Sequence, residues 1–211
     1  MEEGFLYPLF VPPKELQYPG KKPKQLRRDQ AEASFNWFLS VQAERVSHLL
    51  NFLGLSLQDD YGELLERTGK EVFARLRQNP FSDTETGQRV ATPVGLSMAA
   101  DMGMLVGQLL INTSNGRIRW TLLTEPEDGL DYQLPVLMGT HPYWHVEPIR
   151  ASIMKTKQMI RGDEMVQTIR GKIPEYLMNE IKGPREVLRK APTASVWREM
   201  YDFALGKLLA S

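Results

Sequence analysis

The sequence predicts an α+β protein that is mostly helical, with its helices packed around a small antiparallel sheet. Three observations predict this class. Apolar residues recur at helical spacing over residues 29–54, 56–78 and 92–112. Residues 117–123 instead alternate between apolar and polar side chains, as a half-buried strand does. A second apolar run, at 134–138, follows at a distance that favours antiparallel pairing with the first.

The helix over residues 92–112 is predicted to lie at the centre of the fold. Thr92 and Pro93 form a typical helix start, with a hydroxyl cap followed by proline in the first turn. Apolar side chains cover most of the helix surface, and its polar stripe is narrow. Small residues at four-residue spacing would let another backbone approach one face: Ala99, Gly103 and Gly107.

Three parts of the chain are expected. Residues 1–25 contain five prolines and are predicted to form an extended arm across the surface. Residues 26–162 form the α+β core domain, which includes an irregular aromatic loop at 141–146 and a helix at 148–162. Residues 163–211 form a helical C-terminal extension packed on the core, with helical segments near 164–170, 174–182, 184–190 and 193–210.

Composition narrows the function classes. The 211 residues carry 26 basic and 26 acidic side chains, so there is no basic excess to indicate nucleic-acid binding. The chain has no cysteine, which excludes disulfides, thiolate metal sites and a cysteine nucleophile. The start MEEGFLYPLF lacks the basic residues and long apolar run of a signal peptide. We therefore expect a cytoplasmic protein with no membrane partner.

A loop with two histidines is the strongest candidate for chemistry. His141, His145 and Glu147, with Asp131 upstream, are residue types that bind zinc or iron. However, the segment HPYWH lacks the glutamate that makes HExxH a catalytic motif. We favour the alternative, in which the loop is structural and its Tyr143 and Trp144 pack onto the sheet.

Asp101 interrupts an otherwise apolar helix, together with Ser97 and Gln108. A buried carboxylate must be paired or neutralised. One interpretation of Asp101 is an acid in a binding pocket. The interpretation that we favour is a solvent-exposed edge, or an ion pair with an arginine such as Arg119.

Five basic residues lie close together at the end of the arm and could contact phosphates: Lys21, Lys22, Lys24, Arg27 and Arg28. No aromatic residues are interleaved with them for base stacking. Because such runs are more often solvated surface, we do not expect nucleic-acid binding.

Neither a G-x-S-x-G elbow nor a glycine-rich phosphate loop occurs. The sequence therefore predicts no catalytic residue and no cofactor.

The leading hypothesis is a non-enzymatic protein-binding module. Trp37, Tyr143, Trp144 and the aromatic residues of the arm exceed what one modest core needs, and tryptophan and tyrosine are typical anchors of protein interfaces. The predicted binding residues are Trp37, Asp101, Tyr143 and Trp144, and the expected partner is another protein. The alternative is a metal-dependent or small-molecule enzyme that uses the His141/His145 loop.

Short segments within residues 96–162 form a recurring pattern. They read DMGM at 101–104, GQLLI at 107–111, IRW at 118–120, LPVL at 134–137 and PIR at 148–150. Together they resemble a group of uncharacterised bacterial α+β domains, some of which are encoded near toxin–immunity or secretion loci. The resemblance implies a small α+β fold and an immunity-type or accessory role, and it carries no catalytic residue to this chain.

Overall fold

Five α-helices and a three-stranded sheet make up the part of the chain that the structure describes. A computed structural model describes residues 7–57, 60–78, 91–141, 144–161 and 193–210. The helices are α1 (Arg28–Leu53), α2 (Tyr61–Gln78), α3 (Pro93–Thr113), α4 (Pro148–Arg161) and α5 (Val196–Leu208). The strands are β1 (Arg119–Leu122), β2 (Pro135–Met138) and β3 (His145–Val146). The predicted α+β class, dominated by helices, is confirmed, whereas the helical segments predicted between residues 164 and 190 lie outside the described residues.

Local capping signals set most of the helix boundaries. Gly54 ends α1 with φ of 66°, the left-handed conformation that glycine adopts without steric cost. Thr92 caps α3, because its Oγ1 accepts a hydrogen bond of 3.0 Å from the backbone N–H of Gly95. At α2, Asp60 Oδ1 accepts from the backbone N–H of Glu63 at 3.0 Å. This cap places the start of α2 at Tyr61, several residues later than the sequence pattern predicts.

The sheet is an antiparallel meander of order β1-β2-β3. Trp120 of β1 lies opposite Leu137 of β2, and Pro135 lies at the first position of β2, where its missing N–H does not interrupt the pairing. The third strand is a correction to the predicted irregular loop at 141–146, since His145 and Val146 pair with β2. Two residues are too few to show a period-2 pattern in the sequence.

Helix α3 lies at the centre of the fold, as predicted. It packs against α1, α2, α4 and α5. A Cβ on Gly103 would lie 2.6 Å from both the Ile149 Cα and the Pro148 carbonyl oxygen, so the first turn of α4 touches the backbone of α3. By length and composition α3 is also the one described helix that could cross a membrane, but 78% of its apolar window is buried inside the structure. That burial is typical of a core helix.

The last helix, α5, belongs to the same core. Trp197 and Leu208 are fully buried. The Trp197 Nε1–H donates to Ser152 Oγ of α4 at 2.7 Å, and that hydroxyl donates to the Ala99 carbonyl of α3 at 2.5 Å. Helices α3, α4 and α5 are thus joined by one buried chain of hydrogen bonds.

Candidate functional site

The N-terminal arm is held by a buried ion pair between two helices. Asp101 of α3 is fully buried. Arg45 of α1 donates to it through two nitrogens, with Nε to Oδ1 at 2.9 Å and Nη2 to Oδ2 at 2.6 Å. The Tyr7 hydroxyl donates to the same Oδ2. Because Arg45 Nη2 also donates to the Pro8 carbonyl at 3.0 Å, one cluster joins the arm, α1 and α3.

This cluster corrects the interpretation of Asp101 as an exposed edge. The predicted ion pair between Asp101 and an arginine is confirmed, but that arginine is Arg45 on α1 and not Arg119 on β1. Burial raises the pKa of Asp101, and the hydrogen bonds from Arg45 and Tyr7 act in the opposite direction. Burial also raises the pKa of the Tyr7 hydroxyl, which therefore stays protonated and donates.

A second set of contacts continues the attachment of the arm. The Phe10 backbone N–H donates to Ser97 Oγ on α3 at 2.9 Å. The Phe10 ring stacks on Trp37 of α1 with ring centres 5.2 Å apart and planes 19° apart. Two members of the polar stripe of α3, Ser97 and Asp101, thus fasten the arm. The third, Gln108, bonds instead to Asn112 within α3.

A cavity of about 630 Å³ lies beneath the attached arm, and we call it the arm cavity. Its walls come from the arm, α1, residues 129–135 and the first turns of α4, with Leu122 of β1. Most of the lining side chains are apolar, among them Phe10, Leu16, Leu26, Phe35, Trp37, Leu122, Leu134, Ile149 and Ile153. The polar and charged members are few: Ser34, Tyr132, Gln133, Glu147, Lys22, Lys24 and Arg150.

Glu147 is the carboxyl group that lines the arm cavity. It precedes Pro148, the first residue of α4, and its Oε1 accepts from the Arg150 backbone N–H at 2.9 Å. Its Oε2 is buried and has no hydrogen-bond partner among the described residues. Burial, assisted by the nearby charge of Asp131, raises the pKa of Glu147 to about 7. The second buried oxygen without a partner in this wall is Gln133 Oε1.

Asp131 contacts the side chains of Arg150 and His145 beside the part of the cavity wall that Glu147 forms. Arg150 Nη1 donates to Asp131 Oδ1 at 2.7 Å and to the Leu130 carbonyl at 3.0 Å. His145 Nε2 lies 3.2 Å from Asp131 Oδ2. These bonds fasten Leu130 and Asp131 to β3 and α4, and they use Nη1 of Arg150.

The predicted metal ligands do not converge in the described part of the chain. Among the residues that the structure describes, no group of three or more His, Asp and Glu side chains is placed to hold a metal ion. His145 pairs with Asp131, whereas His141 packs its ring edge-to-face against Trp144 at 6.4 Å. Oε1 of Glu147 accepts a hydrogen bond from the first turn of α4 and so caps that helix. The geometry of the described residues therefore gives the metal hypothesis no support.

The predicted binding residues separate into different places. Trp37 lines the arm cavity, while Asp101 is buried in the cluster that holds the arm. Trp144 lies on another surface, 44% exposed, with Lys207 Nζ 4.9 Å from its ring centre. Tyr143 lies outside the described residues.

The basic residues at the end of the arm also have different surroundings. Arg27 and Arg28 form ion pairs with Asp29 and Glu32 at 2.9 Å each. Lys22 and Lys24 instead lie at the edge of the arm cavity.

Sequence reasoning missed Arg45, Gln133 and Arg150 as parts of this region, and it singled out Tyr7 only as one of the aromatic residues of the arm. The run of prolines and aromatics in the arm was the one available signal, since an apolar arm must pack against another part of the protein.

Comparisons with protein-family models, with curated proteins and with solved structures return no match. The resemblance of residues 96–162 to bacterial α+β domains stays a prediction.

Proposed function

We propose that this is a non-enzymatic binding protein that holds an apolar small molecule in the arm cavity. The observation that carries the proposal is the cavity itself, about 630 Å³ in volume and lined mainly by apolar and aromatic side chains. Small-molecule sites typically measure about 300–1,000 Å³ and combine an apolar lining with a few polar groups. Glu147, with its raised pKa, and Gln133 are such groups. We further propose that the protein works in the cytoplasm.

An enzymatic role has less support. Among the described residues, the one hydrogen-bond partner of His145 is Asp131, and no hydroxyl nucleophile contacts that histidine. A general base needs a reacting group within hydrogen-bond reach. The histidine–aspartate pair is instead explained by the loop that it fastens.

A pair of serines on α1 provides the test of ligand binding. Ser34 lines the arm cavity, and its Oγ donates to the Gln30 carbonyl at 2.9 Å. Ser40 lies on the exposed side of the same helix, and its Oγ donates to the Trp37 carbonyl at 2.7 Å. Ser34→Phe fills part of the cavity, and Ser40→Phe is the matched control with the same change of side chain.

The probe is the uncharged fluorophore N-phenyl-1-naphthylamine, whose emission rises in apolar surroundings. We expect the wild type and Ser40→Phe to bind it with equal affinity and Ser34→Phe to lose about tenfold, equivalent to about 1.4 kcal/mol. Circular dichroism confirms that each variant is folded. Failure of the folded wild type to bind the probe, or equal binding by both variants, would contradict the proposal.

A separate surface supports a second candidate function, that of a protein-binding module. Trp144 is 44% exposed and Phe203 is 58% exposed, and Lys207 Nζ lies 4.9 Å and 6.0 Å from the two ring centres. Exposed aromatic side chains beside a cation are typical anchors of protein interfaces. An immunity-type or accessory protein would use such a surface to bind an apolar side chain next to a carboxylate on its partner.

Phe203→Ala tests this second candidate, with Val11→Ala as the control. Val11 is also exposed, at 54%, and lies on the arm far along the chain from α5. A protein captured from the native host supports the candidate only if, once purified, it binds wild type and Val11→Ala equally. It must also bind Phe203→Ala at least about tenfold more weakly, as the loss of an interface anchor predicts. Equal binding by all three proteins would refute this role for the surface.

A further inference from the structure

We propose that the ligand of the arm cavity is a free long-chain carboxylate whose head group lies at Lys22 and Lys24. This inference rests on the proposed function, because it assumes that the cavity holds a ligand. It adds the chemical class of that ligand. The juxtaposition of an apolar interior with two lysines at one edge carries the inference.

The charged groups of the lining are mostly cationic. Three basic side chains line the arm cavity, and Glu147 is its one carboxylate among the described residues. Arg150 is engaged by Asp131 at 2.7 Å and the Leu130 carbonyl at 3.0 Å. Burial favours the uncharged form of Glu147, which reduces its repulsion of an anion. Among the described residues, the charge left at the cavity is therefore positive.

Lys22 and Lys24 differ from the arginines that follow them. They flank Pro23 in the short 3₁₀ turn Pro23–Gln25 and are exposed. Neither lysine forms an ion pair with a described residue, whereas Arg27 and Arg28 have carboxylate partners within 3 Å. Two cations without an ion-pair partner in the described part of the chain, placed at the edge of an apolar cavity, complement a carboxylate that stays in contact with water.

The interior fits an alkyl chain better than a polar ring system. Aromatic and aliphatic side chains, including Phe10, Leu26, Phe35 and Ile153, form most of its walls. Burying one methylene strengthens binding by about fourfold. Affinity should therefore rise steeply with chain length until the cavity is filled, which a surface site for small anions would not show.

The experiment is displacement of N-phenyl-1-naphthylamine by three twelve-carbon amphiphiles, each below its micelle concentration or solubility limit. Dodecanoate, dodecylammonium and dodecanol share a chain and differ in the charge of the head group. Binding of the fluorophore tests the cavity, and the ranking of the three compounds tests the charge. If the fluorophore does not bind, the proposed function fails. If it binds but dodecanoate is not preferred, only the present inference fails.

Charge-matched variants test where the head group lies. The double variant Lys22→Gln/Lys24→Gln removes both cations from the cavity edge. Lys14→Gln/Lys21→Gln removes two exposed arm lysines that do not line the cavity, so both double variants have the same net charge. Exposed ion pairs are each worth up to about fivefold in affinity.

We expect wild type to bind dodecanoate at least about tenfold more tightly than dodecanol. This preference should fall by about tenfold in Lys22→Gln/Lys24→Gln and by less than twofold in the control, with dodecanol binding unchanged in both. The preference should also weaken in high salt. Stronger binding of dodecylammonium, equal loss in both double variants, or flotation of the protein with phosphatidylglycerol vesicles without binding of free dodecanoate would overturn the inference.

Discussion

Replacement of Glu147 by glutamine should remove a pH dependence from the stability of the fold. Glutamine keeps an oxygen that can accept from the Arg150 backbone N–H, so the cap of α4 is retained. It removes the buried carboxyl group whose pKa is raised from 4.5 to about 7. At pH values between 4.5 and about 7, the folded wild type therefore keeps a proton on Glu147 that the unfolded chain releases.

The sign of the effect follows from this difference in bound protons. Because the pKa of Glu147 is higher in the folded state, its contribution is fully present below pH 4.5 and is lost as the pH rises through about 7. At about 1.4 kcal/mol per pKa unit the full shift corresponds to about 3 kcal/mol. Since Glu147 retains some exposure to solvent, we expect about 2 kcal/mol of the free energy of unfolding.

The assay is urea denaturation of wild type and Glu147→Gln at a series of pH values from about 4.5 to 8, followed by circular dichroism. The difference in the free energy of unfolding should grow by about 2 kcal/mol in favour of the variant. His145, Asp131 and Arg150 are common to both proteins, so the difference isolates Glu147. Glu44→Gln, at an exposed position of α1, is the control. A difference that stays constant with pH would refute the assigned cause.

Two further substitutions test the packing on which the site depends. Asp101→Asn leaves the guanidinium of Arg45, 12% exposed, without its carboxylate, and urea denaturation should show a loss of about 3–5 kcal/mol; a loss below about 1 kcal/mol would contradict the role of the pair. Gly103→Ala should cost about 1–3 kcal/mol because its Cβ would meet the Ile149 Cα at 2.6 Å. Gly206→Ala, with open space around it, should instead stabilise α5 by about 0.5–1 kcal/mol, and the reverse order of the two glycine variants would contradict the packing described.

The fold could be predicted from local signals where such signals exist. Thr92, Pro93 and Gly54 specify helix ends through their own backbone or side-chain chemistry, and the alternation around Trp120 identifies β1. Strand β3 could not be found in this way, because His145 and Val146 become a strand only by pairing with β2. Its existence depends on a neighbour that no local pattern reveals.

The site was less predictable because its contacts are distant in sequence. Arg45 lies 56 residues from Asp101 in the chain, and Tyr7 lies 94 residues from it, so helical periodicity identified Asp101 as unusual without indicating its partners. The arm cavity is harder still to foresee. It is the space between four segments, and the lining members Trp37 and Glu147 came to notice for other reasons, as an interface anchor and a metal ligand.

The buried cluster around Asp101 acts on the cavity through the arm. A buried ion pair is weak evidence for stability, because desolvation offsets most of the attraction between the charges. This pair positions the arm. Arg45 donates to the Pro8 carbonyl and Asp101 accepts from the Tyr7 hydroxyl, and together these two bonds fix the register in which the arm attaches. That register places Phe10 on Trp37 and carries the following residues over the cavity. Asp101, for which a pocket acid was the less favoured interpretation, thus shapes the cavity without lining it, because it fixes the segment that forms one wall.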